Sequence, residues 1–448
     1  PLHKAVAIVG VGAVMPDAPN LPTFWSNIKN GVYSISDVPA ERWQKSLYYD
    51  ADRKAPDKAY STIGGWVKNM DWDPIKWRLP IPPKVGELMD LTQKYAISAS
   101  REALLDFDYE NKDFDRERTA VIFGNAMGGD QHLYSAARAL FPEFAESLRG
   151  TNGFKNLPRE VRKSIIEEMN AGLPASFVPI TEDTMPGELS NIAAGRIAAL
   201  FNLRGMNYVT DAACASALAG VSAAVNGLLA HDYDLVVTGG TDANMSPSTF
   251  IKFCKIGALS ARDSRPYAEG ADGFVMGEGA AVFVLKRLED AERDGDKIYA
   301  VFRSMGGSSD GKGKGITAPN PRGQILAVKR AWERVGLSPA SVGLIEGHGT
   351  STTVGDAAEL QSMVEVYKEF GLPAGSIALG SVKGNIGHLK GGAGAAGMMK
   401  AAMALYDKVL PPSLNFGAPN PNVDFSSVPF RVNTELRPWD LNGKDVRR

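Results

Sequence analysis

Cysteine is almost missing from this chain: Cys214 and Cys254 are the only two in 448 residues. Two thiols cannot hold a chain of this length together, so a disulfide scaffold is excluded and a reducing cytoplasm is the natural setting. Histidine is scarce too, with five in all. Neither CxxC nor HExxH occurs, which leaves no basis for a metal site. No apolar run approaches the roughly 18 residues that cross a bilayer, which argues against a membrane protein. The opening Pro1-Leu2-His3-Lys4 lacks a signal-peptide layout. An excess of one charge is also absent: 49 Lys and Arg face 51 Asp and Glu, a net charge of −2. Without a basic block there is no electrostatic footprint for nucleic acid, although a local basic patch could still meet an acidic protein.

What the chain has is glycine, 47 of them, clustered at the ends of short apolar runs. Val6 to Gly10, Ala120 to Gly124, Leu235 to Gly240, Ala281 to Leu285 and Ile377 to Gly380 read as strands covered on both faces. Helical spacing separates them over Ala212 to Leu229, Gly323 to Val335, Asp356 to Phe370 and Gly391 to Leu405. Residues 155–170, with Pro158 early, predict an amphipathic surface helix. Residues 41–90 mix tryptophan and proline without a period and read as a covering segment. The class is α/β in layers. A strand, glycine turn, helix, strand order on either side of about residue 262 hints at duplication. Two nucleotide motifs fail: Gly306 to Gly313 puts glycine where a P-loop needs a hydroxyl, and Gly10-Val11-Gly12 meets Met15 where a dinucleotide fold needs a very small residue.

Three segments place chemistry-bearing residues at turns. In Asp211-Ala212-Ala213-Cys214-Ala215-Ser216 the thiol sits between a strand and a small-residue helix. There the helix dipole and free backbone N–H groups are expected to lower its pKa. Most lone intracellular cysteines are instead buried small hydrophobes, the reading that suits Cys254. Glu346-Gly347-His348-Gly349-Thr350-Ser351-Thr352 carries a histidine between glycines. Gly380-Ser381-Val382-Lys383-Gly384-Asn385-Ile386-Gly387-His388 carries another, five residues past a lysine. Crowding at such positions is low, which suits a ligand passing close. His3, His132 and His231 read as terminal, surface and helix-end residues.

Together these segments resemble the β-ketoacyl synthase family of the thiolase superfamily. The nucleophile motif matches Asp211 to Ser216, the first histidine motif Glu346 to Asp356, and the lysine–histidine motif Gly380 to His388. Gly257 to Ser260, Arg265 to Tyr267 and Ala271 to Gly279 are also family-like, in the right order along nearly the whole chain. The nearest likeness is to ketosynthases of polyunsaturated fatty acid synthases and iterative modular polyketide synthases.

The resemblance implies a thiolase fold, with duplicated halves in a five-layer αβαβα arrangement. Residues 1–262 would carry the nucleophile; residues 263–448 would carry the histidines and lysine. It implies decarboxylative condensation: Cys214 holds an acyl group, while His348 and His388 stabilise the enolate of a malonyl-type extender. Lys383 would set the electrostatics with Glu359 as partner, Asn385 would support, and Thr350 and Thr352 would hold the pantetheine arm. No metal or cofactor is implied, since phosphopantetheine arrives on an acyl carrier protein. Further implied partners are a second copy of the chain and neighbouring synthase domains such as an acyltransferase. The family's C-terminal Gly-Phe-Gly turn, which gives the oxyanion hole a backbone N–H, has no counterpart between Phe430 and Arg448. The expectation is therefore that the last strands are missing and that this is one piece of a longer synthase. The rival readings are a thiolase, an extender decarboxylase and a non-catalytic protein that sets chain length or serves as a scaffold.

Overall fold

The computed structural model describes residues 5–172, 177–313, 315, 318–441 and 443–448. Its largest sheet takes six strands: β1 (Val6–Val14), β2 (Thr119–Gly124), β3 (Asn207–Thr210), β4 (Leu235–Asp242), β5 (Gly279–Arg287) and β6 (Ala300–Phe302). They lie in the order β3-β2-β4-β5-β1-β6. β2 runs parallel to β3 and β4, while β5 and β1 are antiparallel partners in the middle. Every residue of β1, β2 and β4 is buried. That follows from their mostly apolar and glycine runs; the few polar side chains they carry, Thr119, Thr238, Thr241 and Asp242, are buried as well. The sheet takes in β5 and β6, both beyond residue 262.

A second sheet holds β7 (Leu344–Glu346), β8 (Ile377–Gly380) and β9 (Phe430–Val432), all parallel, with β8 central. The outer edge of β7 pairs with no strand among the described residues; the Gly343 and Leu344 N–H groups donate there to the Arg448 carbonyl.

Helices complete the layering. α1 (Leu91–Asp106) and α2 (Ile192–Leu200) cover one face of the first sheet, sharing a core with Val121, Phe123, Val282 and Val284. α3 (Ser216–Leu229) covers the other face, beside α6 (Ala393–Asp407). Ala378 of β8 joins that same core, so α3 and α6 fill the space between the sheets. α4 (Pro321–Val335) and α5 (Thr353–Tyr367) close the far side, where Leu360 and Tyr367 meet Ile377, Leu379 and Phe430. The order is helix, sheet, helix, sheet, helix: the five-layer thiolase arrangement. Close approach of the middle layer depends on Gly124, where a Cβ would fall 2.2 Å from the Ala217 nitrogen. Any side chain there would push α3 off the sheet.

The amphipathic segment forms a helix, Arg159–Gly172, with none of its residues buried. A longer helix before it, Gln131–Gly150, was not read from the sequence. Pro142 inside it masks the pattern, and only Phe141 and Ala145 are buried. Cys254 is core, 3% exposed in helix Pro247–Lys255.

Candidate active site

The sequence Asp211 to Ser216 folds into an elbow. β3 ends at Thr210, a 3-10 turn covers Ala213–Ala215, and α3 starts at Ser216. Ala213 is left-handed at φ +51°, which turns the chain sharply before Cys214. Short polar side chains hold this strained turn. Asp211 Oδ1 accepts the Ala213 N–H at 2.9 Å. The Ser216 hydroxyl donates to the Ala213 carbonyl at 2.6 Å and accepts the Ala212 N–H at 2.9 Å. Thr210 Oγ1 donates to the Ser216 carbonyl at 3.0 Å. The Asp and Ser of the motif are thus the braces of the elbow.

Cys214 is solvent-exposed at residue level, yet protein surrounds its sulfur on most sides, so it sits in an open recess. The expected lowering of its pKa is reversed. Burial of the sulfur pushes it up, and the nearby Lys383 and Lys390 ammonium groups offset only part of that. The cost of burying the charged sulfur outweighs the help from the lysines, even though α3 begins only two residues past Cys214.

His348 and His388 come together from different elements. His348 follows β7 and His388 follows the short helix Lys383–Ile386 after β8. Their rings stand edge to face, with centroids 5.6 Å apart at 90°. Phe274 packs on His388 at 5.2 Å. The Lys390 N–H donates to His388 Nδ1 at 2.9 Å, so that nitrogen is an acceptor and the ring proton resides on Nε2. Both rings are held neutral. His348 is solvent-exposed at residue level, but the protein crowding its ring depresses it to about 3, with Lys383 adding to it. Burial depresses His388 well below the ordinary value too, helped by Lys383, His348 and Lys390.

Lys383 is 5% exposed, and burial lowers its pKa against the pull of Glu346 and Glu359. Its expected partnership with Glu359 is not an ion pair. Glu359 accepts the His348 N–H at 2.6 Å through Oε1, and the Gly349 N–H and Tyr267 hydroxyl, both at 2.9 Å, through Oε2. Glu359 therefore fixes the His348 loop and acts on Lys383 through charge alone. Thr350 and Thr352 bond each other, Oγ1 to Oγ1, at 3.1 Å. Asn385 points elsewhere: its side-chain amide donates to the Val32 carbonyl at 3.2 Å and its backbone carbonyl accepts the Ser34 N–H, tying the turn to the Val32–Ser34 stretch of the chain.

Three residues of this site were not read from the sequence: Tyr267, Asp242 and Lys390. Tyr267, fully buried and left-handed at φ +63°, lies under the Gly347–Gly349 loop. Lys390 is 4% exposed and pairs with Asp242 at 3.1 Å. A lysine in an otherwise glycine, alanine and apolar run, two residues past a motif histidine, was the available signal.

Comparison with known proteins agrees with this geometry. Residues 3–291 match the β-ketoacyl synthase N-terminal domain family, and residues 299–417 match its C-terminal domain family. One component of the polyunsaturated fatty acid synthase of Thraustochytrium sp. is 36% identical over 98% of this chain, which spans 15% of that protein. Polyketide synthase PksL of Bacillus subtilis is 32% identical over 100% of this chain, which spans 9% of it. Among solved structures, the oxazolomycin ketosynthase domain OzmH KS7 of Streptomyces albus superposes with a TM-score of 0.81 at 30% identity, covering 97% of this chain and 70% of that one. The ketosynthase from module 6 of the Bacillus subtilis bacillaene synthase gives 0.78 at 31%, covering 97% and 67%. The chain belongs to the β-ketoacyl synthase family, as a ketosynthase domain similar to those of polyketide and polyunsaturated fatty acid synthases.

Proposed function

We propose that this domain condenses an acyl group held on Cys214 with a malonyl-type thioester delivered by an acyl carrier protein. One observation carries the reading: two neutral imidazoles stand edge to face beside a buried lysine, on the side of the fold that meets the cysteine elbow. In the first half-reaction the Cys214 sulfur attacks the acyl carbonyl and the carrier thiol leaves with the cysteine's proton. In the second, the malonyl thioester oxygen accepts N–H bonds from His348 and His388 while the carboxylate departs as carbon dioxide. The enolate carbon then attacks the acyl carbonyl, forming the β-ketoacyl thioester on the carrier and returning the Cys214 thiolate. Thr350 and Thr352 hold the pantetheine arm. No dissociable cofactor enters these steps. Residues 1–262 supply the nucleophile and residues 263–448 the enolate-stabilising residues, within a longer cytoplasmic synthase that brings the carrier and an acyltransferase. Among the described residues no helix is long and apolar enough to cross a membrane. A thiolase would need a second thiol at the site, and Cys254 is enclosed with Tyr60, Trp66 and Phe250 in a separate cluster. The test supplies acyl and malonyl carriers and follows β-ketoacyl product by mass spectrometry. Cys214→Ala is expected to form none and to accept no acyl group; product formation by this variant would sink the assignment.

The same reading includes a homodimer. β3 is the edge of the large sheet and exposes Tyr208 at 37%, next to Met206 at 53% just before the strand and, from the following helix, Leu218 at 40%. An open edge beside apolar side chains suits antiparallel pairing with a second copy about a two-fold axis. Sedimentation should show a dimer that Tyr208→Glu shifts toward monomer. A wild-type protein that is monomeric at micromolar concentration would refute the pairing.

A further inference from the structure

The pair formed by Asp242 and Lys390 lies outside every motif that pointed to the site. Asp242 ends β4 and is fully buried, and the Lys390 side chain is 5% exposed. The ammonium lies 3.1 Å from Asp242 Oδ1 and donates to the Gly277 carbonyl at 2.7 Å. Asp242 Oδ2 accepts the Gly391 N–H at 3.1 Å, and Oδ1 accepts the Asn244 N–H at 2.9 Å. These bonds grip the 3-10 turn Lys390–Gly392 from both sides. The turn starts left-handed, Lys390 standing at φ +46°, a conformation a non-glycine residue keeps only when its surroundings impose it. In that conformation the Lys390 N–H meets His388 Nδ1. The same turn packs against the Ala213–Ala215 turn that carries Cys214.

We propose that Lys390 is a positioning residue of the ketosynthase reaction: its ion pair with Asp242 anchors the turn that orients His388 and sets the balance of charge at the Cys214 sulfur. This rests on the ketosynthase reading above, but its main test does not. The charged groups acting on Cys214 are Lys383, Lys390 and Asp242, and the rings of His348 and His388 near Lys383 are neutral. The two lysines favour the thiolate and Asp242 opposes it. Removing one member of the pair should therefore move the thiol in a direction set by that member's sign.

The experiment measures iodoacetamide alkylation of Cys214 against pH, by mass spectrometry, in three folded variants beside the wild type. Relative to wild type, Lys390→Met is expected to react about tenfold more slowly at pH 7.5, its profile displaced up by about one pH unit. Asp242→Asn, which keeps an acceptor for the Gly391 N–H, is expected to react faster. Lys390→Arg, which keeps the charge, should lie closer to wild type than Lys390→Met. Opposite signs for Lys390→Met and Asp242→Asn support the proposal; a merely structural pair slows both or changes neither, and either result overturns it. Should Lys390→Met fail to fold, Asp242→Asn decides alone: faster alkylation supports the proposal, and unchanged or slower alkylation overturns it. In parallel, decarboxylation of a malonyl carrier by Lys390→Met is expected to fall in kcat with little change in KM. Absence of decarboxylation in the wild-type protein would defeat the ketosynthase reading while leaving the alkylation result to judge Lys390.

Discussion

His388→Ala is expected to accept an acyl group on Cys214 at close to the wild-type rate while losing malonyl decarboxylation by about 10²- to 10³-fold. The separation follows from the geometry of the donor. The Lys390 N–H occupies His388 Nδ1, so the ring can offer only its Nε2–H. The His348 ring stands edge to face with it, 5.6 Å away, so under the proposed function one thioester oxygen would receive an N–H bond from each. Charge on that oxygen grows during decarboxylation and is small in the ground state, so losing a donor raises the barrier of that step. Acyl transfer onto Cys214 uses the sulfur and does not draw on the His388 donor. His348→Ala should show the same split. The pH dependence follows as well. A histidine whose pKa is depressed when folded is neutral at every pH above that value, which for His348 is about 3. Decarboxylation should therefore show no loss from histidine protonation between pH 5.5 and 8, where an imidazole at its ordinary value would titrate. Carbon dioxide release and acyl occupancy of Cys214, measured on the same samples, check both points. Equal loss of acylation and decarboxylation, or a midpoint near pH 6.5, would contradict the assignment of the rings as neutral donors.

Local rules made much of this structure readable. The run Val6 to Gly10 lies within a nine-residue strand whose every residue is buried, and Leu235 to Gly240 lies within another of eight. Continuous apolar runs bounded by glycine leave few alternatives to covered strands. The elbow at Cys214 was visible because a strand-like run gives way to a small-residue helix within a few residues on either side of the cysteine. Relations across distance were not visible. Glu359 was expected beside Lys383, because both belong to motifs of one site. The structure instead spends its two oxygens on the His348 loop and Tyr267, a choice made by the packing of α5 under that loop. The thiol of Cys214 was expected to be lowered by a helix N-terminus. Whether burial or dipole dominates depends on the angle between turn and helix, which spacing does not encode. Asp242 and Lys390 are far apart in the chain, and nothing in either segment alone announces that they pair.

Lys400→Met is expected to destabilise the fold by about 3–5 kcal/mol, the cost of leaving one member of a buried ion pair without its partner. Lys400 lies on α6 at 1% exposure, with its ammonium 2.8 Å from Glu346 Oε2. Glu346 ends β7, two residues before His348, and its other oxygen accepts the Val382 N–H, one residue before Lys383. A single carboxylate thus joins the His348 and Lys383 segments and is neutralised from the middle helical layer. Methionine fills the lysine's volume, so the change isolates charge from packing. The double variant Glu346→Gln with Lys400→Met should recover most of the loss. Glutamine still accepts the Val382 N–H through its carbonyl, and no unpaired charge remains in the interior. Domains hold only about 5–15 kcal/mol in total, so the single variant should unfold at a far lower urea concentration and the double close to wild type. Urea midpoints for the three proteins decide the matter. A single variant within about 1 kcal/mol of wild type, or a double variant no more stable than the single, would show that the pair does not brace the junction between the His348 and Lys383 segments.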